Sequence, residues 1–174
     1  MAQRDIRIYG DPVLREAADP VAEINDEIRR FVDDLFETMY ASEGVGLAAP
    51  QVGRLARIFV VDTSEQEEGG RGPMAFINPV ILATAGEWRF DEGCLSIPGV
   101  TAEITRPMTV NLRYWTPEGE ERTEEFDGLL GRVIQHENDH LDGKLFVDYL
   151  SPMRRALIMK KLRELSREPE SPAL

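Results

Sequence analysis

A chain of 174 residues, 42% hydrophobic and 30% charged, has the length of one domain and the composition of a soluble globular protein. No apolar run approaches the roughly 20 residues of a membrane span, and "MAQRDIRIYGDP" lacks the apolar core of a signal peptide and the Arg- and Ser-rich pattern of a transit peptide, so a cytoplasmic protein without a membrane partner is expected. A net charge of −12 argues against DNA or broad nucleic-acid binding, and the single cysteine, Cys94, excludes an internal disulfide framework.

Along the chain, Asp11 and Pro12 read as the N-cap and first residue of a short helix reaching about Ala17. Asn25 caps a long helix to about Ala41, because Ile28, Phe31, Val32, Leu35, Met39 and Tyr40 recur on one helical face, and Gly44 ends it. "EGVGLAAPQVG" (43–53) is too small and Gly-rich for a helix or strand and is expected as a closely packed loop. "RIFVVD" (57–62) is apolar and short enough for a buried strand. "TSEQEEGGRGP" (63–73) offers no core residue and reads as the most mobile loop. Strands are expected near 74–82, 86–91, 100–106, 108–115 and 121–127, with "TPEGE" turning between the last two. A helical period returns from Gly128 to Leu141 through Leu129, Leu130, Val133, Ile134 and Glu137, and Gly143 stops it. Ser151 and Pro152 start a last helix, about 151–166, ahead of a frayed tail at 167–174. With neither repeats nor a linker, residues 1–174 read as a single domain, and strands in the middle with helices at both ends give an α+β class with antiparallel or mixed sheets.

The only histidines, His136 and His140, stand four apart around Glu137 in "QHENDHL". Residues i and i+4 share a helix face, so both imidazoles can address one ion with a carboxylate beside it. They extend the row of Leu129 and Val133, which turns toward the core, where imidazoles need partners; hydrogen bonds alone are the plainer explanation. A catalytic metal usually takes three protein ligands and keeps one position open. With no third histidine, Cys94 in "FDEGCLSIPG" is the simplest third donor, although a lone cysteine is more often inert core; Glu92 and Asp139 remain alternatives. The sheets are then expected to pack around this metal-binding HExxH helix, between the long N-terminal helix and the C-terminal one.

"GVGLAAPQVG" at 44–53, "EGCLS" at 92–96 and "QHENDHLDG" at 135–143 together resemble the peptide deformylase family, which carries GxGxAAxQ, EGCLS and QHExDHxxG in that order. The resemblance extends over nearly the whole chain through "VDDLFETMYASEG", "RIFVVD", "INP" and "GKLFVDYLSP". It implies hydrolysis of the formyl group from N-formylmethionine on nascent bacterial polypeptides, with release of formate. Carried over by position, Cys94, His136 and His140 hold one divalent metal, Fe2+ by family habit with Zn2+, Ni2+ or Co2+ as substitutes, and Glu137 is the general acid/base for the metal-activated hydroxide. The Gln51 amide and the Leu95 N–H are implied to steady the oxyanion. Leu129 and Val133 are the walls inferable for a methionine slot, the resemblance adds Val45 and Phe90, and the substrate backbone is expected to run like a strand near Gly46 and Gly93.

Arg132 is read as packing its stem near this slot with the charge outward, and Thr101 stands where some family members carry a substrate-facing arginine. Glu43, Glu92, Arg106 and Asp139 are candidates for orienting the ligands, or else ordinary ion pairs. The last helix carries Arg154, Arg155, Lys160, Lys161, Arg163 and Arg167 against one acid, Glu164. The resemblance makes it a ribosome-docking helix; the plainer reading is an amphipathic helix that packs Leu157, Ile158, Leu162 and Leu165. Two other functions compete: a general HExxH metallopeptidase, which needs neither Cys94 nor Gln51, and a non-catalytic metal-binding protein of the translation machinery.

Overall fold

The computed structural model describes residues 2–167; of the tail expected to fray, 168–174 lie outside the described residues. The strands are β1 (Gly46–Ala48), β2 (Ile58–Val61), β3 (Met74–Ala85), β4 (Trp88–Cys94), β5 (Ile97–Arg106), β6 (Thr109–Trp115) and β7 (Glu121–Phe126), and the helices are α1 (Asp26–Ala41), α2 (Gly128–Leu141) and α3 (Pro152–Arg167). One sheet runs in the order β1-β2-β3-β6-β7, and β4 with β5 forms a separate ribbon; every strand pair is antiparallel. This is an α+β fold built around α2.

The apolar run of β2 follows from burial on both faces. Successive strand side chains point to opposite sides, so Phe59 and Val61 join the core beneath α2, while Ile58 and Val60 join the core beneath α1. The sheet is thus held between the two helices. A third cluster packs Ile97, Val100 and Ile104 of β5 against the segment 145–150 and against Leu162 of α3.

Several local expectations change. The first helix is one 3-10 turn, Pro12–Arg15, held by the Asp11 side chain accepting from the Val13 N–H, and it stops short of Ala17. Asn25 does cap α1, accepting from the Ile28 N–H at 3.0 Å. Tyr40 leaves the apolar stripe: half exposed, it donates its hydroxyl to Asp62 at 2.6 Å. Past the helix end it is Glu43 that takes the left-handed backbone, at φ 57°, while Gly44 N–H returns to the Met39 carbonyl. Gly44 answers a different need, since a Cβ there would lie 2.7 Å from Leu95 Cδ1.

The segment 43–53 is not all loop. Gly46–Ala48 pairs with β2, Gly46 opposite Val61 and Ala48 opposite Phe59, and Ala49–Val52 makes a 3-10 turn. Its strand character comes from that pairing, which composition does not display. The acidic segment at 63–73 does reach the core: Thr63 is fully buried, and a turn there brings the Glu67 carboxylate to α2, where it accepts from the Leu129 N–H at 2.7 Å. Asp127, at the N-cap position, makes no such bond, so the helix start is satisfied by a residue 62 positions away.

Candidate metal centre

Helix α2 is buried along most of its length, and His136 and His140 are 8% and 1% exposed with ring centroids 5.1 Å apart. Strand β4 ends on Cys94, whose Sγ lies 3.4 Å from His140 Nε2. One donor atom from each of Cys94, His136 and His140 falls within 4.8 Å of the others, the one such group among the described residues. Donors about 2.0–2.3 Å from an ion lie within about 4.6 Å of each other, so small side-chain rotations close this set on a metal. Beside it, Glu137 Oε2 is buried without a partner among the described residues, a cost that water on a bound ion relieves. Thiolate and imidazole together are a donor set for first-row transition metals.

The ligands are oriented from behind. His136 Nδ1 contacts Glu92 Oε1 at 2.9 Å, which leaves Nε2 for the site. Arg106 grips the same carboxylate with two nitrogens, at 2.6 and 3.0 Å, and holds Asp139 at 2.8 Å; Asp139 also accepts from the Tyr149 hydroxyl at 2.7 Å. Glu92 and Asp139, the alternative third donors, are therefore engaged with arginines and stand outside the donor group. Burial pushes the Glu92 carboxyl up, but the hydrogen bonds from His136 and Arg106 outweigh it and hold the group at about 2. Glu137 behaves oppositely: burial dominates, Glu92 and Asp139 add to it against His136 and Arg106, and the carboxyl rises to about 7. Burial lowers His140, whereas for His136 burial is outweighed by Cys94, Glu92 and Glu137, which raise it.

From the opposite wall, the 3-10 turn after β1 delivers Gln51. Its Oε1 accepts from the Ala48 N–H at 2.9 Å, and its Nε2 points to Ser96 Oγ at 3.1 Å and Cys94 Sγ at 3.5 Å. Gly46 is required by close approach, since a Cβ there would lie 2.7 Å from Glu137 Oε1 and 2.8 Å from Val133 Cγ1. A cavity of about 470 Å³ opens between these walls. Cys94, His136, Glu137, Gln51 and Leu95 line it, and so do Val45, Gly46, Phe90, Gly93, Leu129 and Val133, while His140 sits behind.

Of the remaining expectations, Arg132 is corrected. It is 2% exposed with its guanidinium turned inward, paired with Glu92 at 2.9 Å and donating to main-chain carbonyls. Glu92 and the Trp88, Phe90 and Ile104 carbonyls offset the desolvation that would otherwise drive the charge outward. Thr101 is exposed against Gly93 and is not part of the cavity wall; Glu43 is on the wall. Sequence reasoning missed Pro98 and Gly99 on the cavity rim, Tyr149 on Asp139, Glu67 at the start of α2, and Ser96 beside Gln51. Only Ser96 had a signal, its place two residues after Cys94 in "EGCLS".

Comparison with known proteins meets this geometry. The family model described as Polypeptide deformylase matches residues 3–156. A peptide deformylase from Alkalilimnicola ehrlichii is 49% identical over 168 residues, covering 97% of this chain and 93% of that protein. The structure of peptide deformylase from Thermus thermophilus superposes with a TM-score of 0.88 at 39% identity, over 97% of this chain and all of the other. The Ehrlichia chaffeensis peptide deformylase, solved in complex with actinonin, gives a TM-score of 0.89 at 38% identity over the same 97% of this chain.

Proposed function

We propose the following division of labour for a chain that belongs to the polypeptide deformylase family and is, accordingly, a metal-dependent hydrolase of formylated nascent polypeptides. Cys94, His136 and His140 hold the ion. A divalent metal bound there supplies Lewis acidity, polarising the formyl carbonyl and acidifying a water molecule. Ferrous iron is the ion to which the family resemblance points, and zinc, nickel and cobalt suit the same donors.

Glu137 takes the proton from the attacking water and returns it to the departing amine; its carboxylate lines the cavity beside His136, with Oε2 free of protein partners among the described residues. The Gln51 amide, fixed through its oxygen by Ala48, and the Leu95 N–H donate to the oxyanion. The methionine side chain enters between Leu129 and Val133 on α2 and Phe90 on β4, with Val45 closing the slot. The substrate backbone runs between Gly46 and Gly93, because β1 ends the large sheet and β4 has one partner only, which leaves strand edges facing the cavity. The observation that carries this reading is the meeting of three distant segments, holding Gln51, Cys94 and His136-Glu137, around one cavity. Formate release from a formyl-methionyl peptide tests it; protein that binds ferrous iron or nickel yet releases none contradicts it.

We extend the reading to the bacterial cytoplasm, where formylated chains emerge, and to ribosome docking through α3. Of its apolar residues, Leu162 is fully buried and Ile158 and Leu165 pack against the same core, as the plainer reading required, whereas Leu157 is 82% exposed. Arg154 and Lys161 donate to the Glu103 and Gly99 carbonyls of β5, and Lys160 and Arg163 remain exposed for phosphate contacts. Removing α3 would uncover the core around Leu162, so charge reversal is the cleaner test. K160E/R163E protein should lose salt-sensitive ribosome binding while keeping formate release, and unchanged binding excludes this docking face.

A further inference from the structure

Arg132 is a buried charge with more acceptors than an ion pair needs. Its Nη1 donates to the Trp88 carbonyl at 2.9 Å, its Nη2 to the Phe90 carbonyl at 3.1 Å and to the Ile104 carbonyl, and Glu92 balances the charge at 2.9 Å. Phe90 and Ile104 face each other across the β4–β5 ribbon, so Nη2 grips both strands at a single rung while Nη1 holds β4 a second time, at Trp88. The guanidinium also sits 5.3 Å from the Trp88 ring centre and 5.6 Å from that of Phe90. Its stem shares the cavity wall with Leu129, Val133 and Phe90.

Two of those slot residues ride on α2 and the third on β4, so the width of the slot is the separation of helix and ribbon. Farther along α2, the contact of His136 with Glu92 joins the same two elements beside the metal ligands. Arg132 joins them at the level of the slot. Its planar fork presents donors in a fixed geometry that a lysine, with one point charge on a flexible stem, does not reproduce.

We propose that Arg132 is a positioning residue that ties the Phe90 strand to α2 and thereby sets selectivity for the first side chain of the substrate. The proposal rests on the assignment of the slot to Leu129, Val133, Val45 and Phe90. Methionine fills a slot of fixed width; when the ribbon drifts from the helix, its contacts are lost, whereas a short side chain loses little.

The test compares kcat/KM for formyl-Met and formyl-Ala peptides in metal-loaded wild type, R132M and R132K. The wild type should prefer methionine, and in both variants the Met/Ala ratio should fall by about tenfold, mainly through a higher KM for the methionine peptide. A merely structural role lowers both activities alike and leaves the ratio unchanged, which overturns the proposal. Recovery of the wild-type ratio in R132K also overturns it, because then charge on Glu92 matters and the fork does not. A wild type indifferent to methionine removes the slot reading, and this proposal with it. Should R132M fail to fold, R132K decides alone, since it retains the buried charge.

Discussion

Gly46 and Glu137 meet so closely that neither can be discussed alone. A methyl group at position 46 would fall within 3 Å of both Glu137 and Val133, on the side from which substrate is read. G46A therefore forces Glu137, the proposed proton carrier, out of place: kcat should fall by about 100-fold, at a stability cost of about 1–3 kcal/mol. Stopped-time formate assays beside a melting curve measure the two effects, and a variant with wild-type kcat would show that the carboxylate has room to spare. Arg132 teaches a related lesson. Helical periodicity placed it near the slot, but periodicity reports which way a residue faces and is silent on its partner; the partner, Glu92, is 40 positions earlier in the chain.

Among the elements, α1 and α2 were legible because each keeps a long apolar row at helical spacing and because Asn25 offers a cap that the structure uses. The start of α2 was read at Gly128, where it lies, but the group that caps it was not legible, since that cap is tertiary. E67A should remove the acceptor for the Leu129 N–H and lower stability by about 1 kcal/mol, read as a shift of the urea midpoint with an unchanged slope. No shift would mean that Asp127 or water replaces it at no cost. Strand β1 escaped for a similar reason: "GLA" has no strand propensity, and its order comes from pairing with Val61, Val60 and Phe59. Strand β3 was found but ended three residues early and β5 begun three residues late, while β4 was placed early at both ends, by two residues and by three; β4 and β5 pair with each other alone.

At the scale of the whole molecule, the large sheet braced by α1 and α2 holds one wall of the cavity, and the β4–β5 ribbon braced by α3 holds the other. The three motifs that carried the family resemblance are the three places where these walls approach each other. That is why they were readable: close packing and chemistry restrict the same residues. The cores around them, by contrast, admit many apolar sequences of the right pattern. The proposed division of labour separates holding the ion, assigned to Cys94, His136 and His140, from moving the proton, assigned to Glu137 between them. Parallel measurement of metal content and formate release in E137Q protein tests that separation most directly. A wild-type complement of metal with formate release reduced at least about 100-fold is the expected result; turnover near the wild-type rate in metal-replete E137Q would contradict it.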